Sequence, residues 1–235
     1  MRSIAIALAL CLAQEPAKDP DLLVHLTFDD GAAPGVAQGK VAWEAGKLGK
    51  AAVFDGSGGH VEIPSAAALD TVNEGSYTIA AWFKPAEVPP GKENENTASY
   101  GILNKAGWHE GIRYGNDKKF VFEHWIAGAK PEEPEWKGAG TWETEYEPGQ
   151  WYHVAGVVDR PAGATKIYVN GELVQTGEFP ANAPARSFGK TTWKIGMAAP
   201  GSAEWAWPAK GAVDDVRVYK KALSDADIAT LFKGK

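Results

Sequence analysis

Along much of the chain, apolar residues either alternate singly with polar ones or run together briefly, the patterns of half-buried and fully buried strands. Such stretches lie at residues 22–28 (LLVHLTF), 51–54 (AAVF), 60–63 (HVEI), 77–84 (YTIAAWFK) and 119–125 (KFVFEHW). Further ones follow at 151–159 (WYHVAGVVD), 165–177 (TKIYVNGELVQTG), 191–196 (TTWKIG) and 212–219 (AVDDVRVY). Gly, Asn, Asp and Pro separate them. Asn170-Gly171, set between alternating apolar residues, is the strongest hairpin signal, because both residues tolerate the positive φ of a tight hairpin turn. DGSGG at 55–59 reads as another strand-to-strand turn. One helix is predicted in LSDADIATLF, where Ser224 caps, Asp227 completes a capping box and Leu223 staples to Ile228. Many short strands with turns between them predict an all-β, antiparallel two-sheet sandwich with one short C-terminal helix.

The N-terminus, MRSIAIALALCLAQEP, departs from this pattern. One arginine precedes an apolar run too short to span a bilayer, which predicts a secretory signal peptide over 1–13 and no membrane span. Lipidation of Cys11 is a weaker alternative, since Leu10 is large for the preceding position. A linker over 14–20 and one domain over 21–235 follow, with no repeat and no composition break inside it. Cys11 is the only cysteine, so the mature chain is expected to be stable without disulfides, secreted or periplasmic. The formal net charge of −6 argues against a nucleic-acid partner, which would want a basic patch.

Two carboxylates interrupt the last strand pattern. In regular β geometry Asp214 shares the face of Val216 and Val218, which should be buried, and Asp215 takes the opposite, solvent-exposed face. A buried carboxylate must be protonated, paired or bound to a metal. Two polar stretches, 85–99 and 127–149, look like excursions from the strand framework, and the second carries two tryptophans and six glutamates.

Several segments together resemble the laminin-G-like, concanavalin A-type jelly-roll domain of secreted bacterial proteins. They are LTFDDG (26–31), GKLGKAAVFDGSGGHVEIP (46–64), YTIAAWFKP (77–85), PGQWYHVAGVVD (148–159), KIYVNGELV (166–174) and GAVDDVRVYKKALSDADIATL (211–231). The resemblance implies a jelly roll with adjacent terminal strands. It leaves function open, because one fold hosts lectins, enzyme-appended binding modules and adhesion domains. It also implies a structural calcium tying the first strand, a glycine-rich turn and the last strand. Carried over by position, its ligands are Asp29 or Asp30, backbone oxygens around Ser57 and Gly58, and Asp214, a hard oxygen set of the kind calcium takes. The alternative for Asp214 is hydrogen bonding to backbone amides, or pairing with Arg217 or a lysine.

Ten tryptophans make placement matter. Trp82 and Trp151 lie in strand patterns and are expected in the core, with Trp43 and Trp193 as packing residues. Trp108, Trp136, Trp142, Trp205 and Trp207 lie in or beside loops. Aromatic rings stack on the apolar faces of sugars while neighbouring polar groups bond hydroxyls, so Trp108, His109, Arg113, Trp136 and Trp142 are candidate contacts to a polysaccharide or other glycan. Protein–protein adhesion or an envelope structural role is the alternative.

A glycosidase comes third. Glu143, Glu145 and Glu147 in TWETEYE would form a carboxylate ladder if that stretch were a strand, as in the similar β-glucanases, and retaining hydrolysis needs two carboxyl groups about 5–5.5 Å apart. The middle residue in those enzymes is Asp, and Gly140 and Pro148-Gly149 leave little strand here. His109 and His124 could meet across a hairpin beside Glu110, Arg113 and Glu123, but at no zinc-motif spacing. No nucleophile elbow, phosphate-binding loop or HExxH helix is present.

Overall fold

The computed structural model describes residues 19–32, 35–91, 98–128, 130, 133–200, 202 and 206–234, so the expected signal peptide, Cys11, most of the linker and Trp205 lie outside the described residues. In chain order the elements are β1 (Leu22–Leu26), β2 (Val36–Gln38), β3 (Ala42–Ala45), β4 (Lys50–Asp55), β5 (His60–Ile63), α1 (Ala67–Asp70), β6 (Tyr77–Pro85), β7 (Ser99–Lys105) and β8 (Glu110–Gly115). There follow β9 (Phe120–Glu123), β10 (Trp125–Ile126), β11 (Glu135–Trp136), β12 (Ala139–Gly140), β13 (Tyr152–Asp159), β14 (Ala164–Val169), β15 (Glu172–Glu178), β16 (Trp193–Ile195), β17 (Lys210–Tyr219) and α2 (Asp225–Phe232).

Two antiparallel sheets face one another. The first runs β15-β14-β13-β6-β17-β4-β3, with β1 also on β17, and the second runs β12-β9-β8-β7-β16-β5-β2. The residues between them come from alternate positions of both sheets, including Ile79, Phe83, Val154 and Ile167 from the first and Ile112, Tyr114, Phe120, Phe122 and Trp193 from the second. Each such side chain contributes about 1.5–3 kcal/mol on burial. The jelly-roll sandwich expected from the sequence is the fold observed.

Local signals account for the connections. Asn170 and Gly171 have φ of +52° and +83°. Val169 pairs directly with Glu172 across them, the two-residue hairpin that the Asn-Gly pair specifies. Ser224 caps α2 by accepting from the Asp227 amide at 3.2 Å, and Asp227 returns the bond by accepting from the Ser224 amide at 2.9 Å. The helix lays Leu223, Ile228 and Leu231 on Ala80, Ala155, Val157 and Tyr168, so it covers part of the outer face of the first sheet. Among the described residues no helix covers the outer face of the second sheet. Among the described residues no helix is long and apolar enough to cross a membrane.

β17 departs from regular alternation, and this changes the reading of its carboxylates. The register with β6 slips between Asp214 and Arg217, and Asp215 has a φ of +47°. A bulge places two residues against one, and both carboxylates are buried on the side of β17 away from the core valines, Asp214 opposite Trp82 and Asp215 beside His25 and Arg217. Asp215 is only 3% exposed, which corrects the expectation that it faces solvent. It accepts from His25 Nε2 at 2.6 Å and from Arg217 at 3.2 Å. Burial alone would raise its pKa, but the His25 bond and the Arg217 charge bring it below the usual carboxylate value.

Candidate functional site

The uncovered face of the second sheet is built by strand alternation. In β8, Ile112 and Tyr114 point into the core and Arg113 points out between Gly111 and Gly115; in β9, Phe120 and Phe122 point in and Glu123 points out. Gly111 pairs with Glu123 and Arg113 with Val121, which makes Arg113 and Glu123 diagonal neighbours. Arg113 Nε donates to Glu123 Oε1 at 2.8 Å, with the two side chains 11% and 5% exposed. The other Glu123 oxygen accepts the indole N–H of Trp136.

Trp136 begins an aromatic strip. It stands opposite Trp125 in the β10–β11 ladder, and its ring centroid lies 6.3 Å from that of Trp142. Each of the two exposed rings rests on glycine backbone. A Cβ at Gly138 would sit 2.7 Å from Trp136 Cζ2, and one at Gly140 would sit 2.5 Å from Trp142 Cζ2. Glycine therefore lets these rings lie close to the chain, and they remain 40% and 41% exposed.

At the other end Trp108 stacks on His109 at 4.4 Å, and Trp125 meets Trp108 edge-on at 5.3 Å. Trp207 lies 6.4 Å from Trp108, with the Arg113 guanidinium 5.5 Å from its ring. Trp207 has a φ of +47°, a strained geometry for a bulky residue, held where its carbonyl accepts the Gly101 amide at 2.9 Å. Burial lowers the His109 pKa, and its Nδ1 bonds the Ala106 carbonyl at 2.8 Å, so the stacked ring is neutral at pH 7. Asn104 also faces this side. Its amide lies against Gly101 and Gly111, and it is buried with neither amide atom hydrogen-bonded among the described residues. The Trp125 indole nitrogen is in the same condition.

The structure thus gathers Trp108, His109, Arg113, Trp136 and Trp142 on one face. Trp125 and Asn104 are the residues that sequence reasoning missed. For Trp125 a signal existed, because it continues the outward phase of Val121 and Glu123. Asn104 had none, since all seven residues of β7 are buried and the strand shows no alternation.

Other candidates are not brought together. His109 and His124 do not meet, because His124 follows the inward phase of β9 and bonds Glu110 Oε2 at 3.0 Å inside the core. Glu143, Glu145 and Glu147 form no ladder. Residues 141–149 turn back on themselves, with the Thr144 amide bonded to the Thr141 carbonyl and the Tyr146 amide to the Lys118 carbonyl. Glu145 and Glu147 reach Lys118 at 3.4 and 2.8 Å from exposed positions.

The expected calcium ligands also separate. Asp214 lies beside the turn that precedes β4, whereas Ser57 and Gly58 follow its far end. Six residues at about 3.3 Å each put roughly 20 Å between those ends. Asp214 Oδ2 accepts the amides of Lys47 at 2.9 Å and Leu48 at 2.8 Å, and Oδ1 accepts its neighbour Asp215 at 2.7 Å. Burial raises its pKa in spite of these bonds. Asp29 accepts the Lys50 amide at 2.9 Å on the same turn, and Asp30 is exposed. Carboxylates committed to amide donors, with Ser57 and Gly58 elsewhere, do not fit calcium; they fit a turn anchored by two aspartates. We expect EGTA to leave the melting temperature unchanged. Asp214→Ala, which strips three backbone amides of their acceptor, should cost about 2 kcal/mol in urea unfolding. A calcium-dependent rise in melting temperature that Asp214→Ala abolishes would reverse this assignment.

Residues 55–229 match the Laminin_G_3 family model, described as the concanavalin A-like lectin/glucanases superfamily. Among solved structures the chain is similar to domain 4 of AbnA, a GH43 extracellular arabinanase from Geobacillus stearothermophilus, in complex with arabinotriose. The identity is 22% and the TM-score 0.58, over 90% of this chain and 98% of that one. It is also similar to the binding domain of Paraclostridial Mosquitocidal Protein 1, at 13% identity and TM-score 0.67, over 91% of this chain. A third is the binding domain of botulinum neurotoxin DC in complex with SialylT, at 15% identity and TM-score 0.60, over 92% of this chain. The chain spans about half of each toxin domain, 52% in both cases. At these identities the likeness is one of fold. A comparison with curated proteins found no match.

Proposed function

Since the chain belongs to the Laminin_G_3 family of concanavalin A-like domains, we propose that it binds a polysaccharide or other glycan on the outer face of its second sheet. The observation that carries this reading is the pair of exposed rings, Trp136 and Trp142, each backed by glycine, beside the buried Arg113–Glu123 pair. An aromatic face with one side free stacks on a sugar ring, while Arg113 and Glu123 supply fixed polar groups at its edge. The arabinotriose and SialylT complexes of the two similar structures agree with this class of ligand. The reading places the surface outside the cytoplasm, reached through the apolar N-terminal segment.

Intrinsic tryptophan fluorescence, titrated with a panel of soluble polysaccharides, tests it. One class should give a saturable shift. Trp136→Ala and Trp142→Ala should each weaken that binding about tenfold or more, some 1.4 kcal/mol; Trp142→Ala should change the melting temperature little, whereas Trp136→Ala also removes a donor to Glu123 and should lower it. Silence across the panel from folded protein, or a double variant that binds as tightly, would move the assignment to a protein partner.

A further inference from the structure

A pocket of about 360 Å³ opens beside Trp207, at the end of the aromatic strip away from Trp142, lined by Tyr100, Glu87, Asp55, Pro208 and Lys210 among others. That volume lies near the small end of ligand pockets and suits one sugar ring. Its walls combine an indole and prolines with an ion pair, Lys210 Nζ to Glu87 Oε2 at 2.8 Å, both side chains about half exposed. Asp55 is already held by Lys40 at 2.7 Å and keeps its charge on the rim. Tyr100 is 3% exposed, and its hydroxyl has no hydrogen-bond partner among the described residues. Tyr100 and Glu87 both line the pocket. A buried hydroxyl left unpaired costs about 1–3 kcal/mol, and a hydroxylated ligand can relieve it.

We propose that this pocket is a separate subsite for a single neutral sugar unit, a terminal residue or side branch of the glycan. The proposal takes the glycan reading of the neighbouring face as its starting point. Trp207, itself 3% exposed, lines one wall, Tyr100 is the polar group at the base, and Glu87 and Lys210 accept from and donate to adjacent hydroxyls. Each lining carboxylate is already paired with a lysine, Asp55 with Lys40 and Glu87 with Lys210, which leaves no free cation among the described lining residues to receive the carboxylate of an acidic sugar. The backbone strain at Trp207 agrees with a ring held in position for a ligand.

The experiment is 19F NMR of the full protein labelled with 5-fluorotryptophan, with the Trp136, Trp142 and Trp207 signals assigned by single Trp→Phe variants. D-glucose, D-galactose and N-acetylneuraminic acid are the monosaccharide probes, followed by the polysaccharide panel. The Trp207 signal should move saturably with a neutral sugar and not with N-acetylneuraminic acid. Tyr100→Phe should weaken that response about 5–10-fold without lowering stability, because the hydroxyl bonds nothing in the free protein. Glu87→Gln with Lys210→Met, both on exposed side chains, should weaken it further while leaving the Trp136 response intact. If Trp136 and Trp142 respond to a polysaccharide while Trp207 stays still under every neutral probe, the subsite is overturned and the wider glycan reading survives. If Trp207 alone responds, the subsite stands and the platform reading falls. Silence of all three overturns both, and a stronger response to N-acetylneuraminic acid overturns the ligand class.

Discussion

Glu110→Ala is expected to destabilise the protein by about 3–5 kcal/mol, a drop of roughly 10 °C in melting temperature for a domain of this size. Glu110 is fully buried and serves several donors. Oε2 accepts the Tyr77 hydroxyl and, at 3.0 Å, His124 Nδ1, while Oε1 accepts the Trp125 amide at 3.3 Å. Behind it, Arg160 donates to the carbonyls of Gly75, Asn73 and Ala183. It also reaches His124 Nε2 at 3.4 Å, where the ring nitrogen accepts. Lys105 donates to the carbonyls of Leu69 and Asp70 and to Asn73 Oδ1, which pins the 69–73 segment to β7. Removing the carboxylate leaves the buried Arg160 and Lys105 charges less balanced and strands the Tyr77 hydroxyl. Burial and the Glu110 charge both push the Tyr77 pKa well up, so the tyrosine stays a donor and cannot ionise to compensate. Thermal and urea unfolding check the figure. A loss below about 1 kcal/mol, the scale of an ordinary surface change, would show that the network is not the strut we take it for. The same network explains why His124 and Glu110, flanking the candidate site in sequence, belong to its foundation.

Acidification from pH 6.5 to 4 is expected to cost roughly 3 kcal/mol through His153. This ring is 1% exposed, packed edge-on to Trp82 at 5.3 Å and 6.3 Å from Phe232 of α2. Its Nδ1 has no partner among the described residues. Burial pushes its pKa down to about 4, an effect that nearby Asp215 opposes and Arg217 reinforces. The other cation facing this cluster is Lys47, 4.7 Å from the Trp82 ring. The unfolded chain takes up its proton near pH 6.5, and the folded chain does so only near pH 4. Between those values the unfolded state binds more protons, so stability falls with pH by about 1.4 kcal/mol per unit and levels off below pH 4. Asp214 acts in the opposite sense, since its raised pKa adds stability as pH falls through that value. The lowered pKa of Asp215 matters only at still lower pH. His153→Phe keeps the aromatic packing and removes the titration. Urea unfolding at pH 7, 5.5 and 4.5 should show a shallower slope for this variant than for the parent chain, and equal slopes would refute the assignment.

The second sheet's outer face and β17 show how far local pattern reaches. Strand stretches such as 77–84 and 151–159 were legible because alternation is a property of the backbone and needs no partner strand. The Asn-Gly hairpin and the Ser224 capping box were equally legible, since each is closed by residues within a few positions of one another. Strands β2 and β3 were invisible because they are short and mostly exposed, and β7 because burial on both faces erased its period.

What the sequence by itself determined is therefore the all-β class, most strands, the hairpin, the helix and a set of loop tryptophans rich enough to mark a surface. Tertiary structure alone decided that Trp136 rests on Gly138 while bonding Glu123, and that Trp108 meets Trp125 and Trp207. It also buried Asp215 beside His25 and Arg217 at a bulge, set Ser57 and Asp214 at opposite ends of β4, and left Glu143, Glu145 and Glu147 in a turn. Most of these features join stretches that are separated in the chain. Their distances depend on sheet order and register, which arise from the packing of all the strands together and are written in no single stretch of chain.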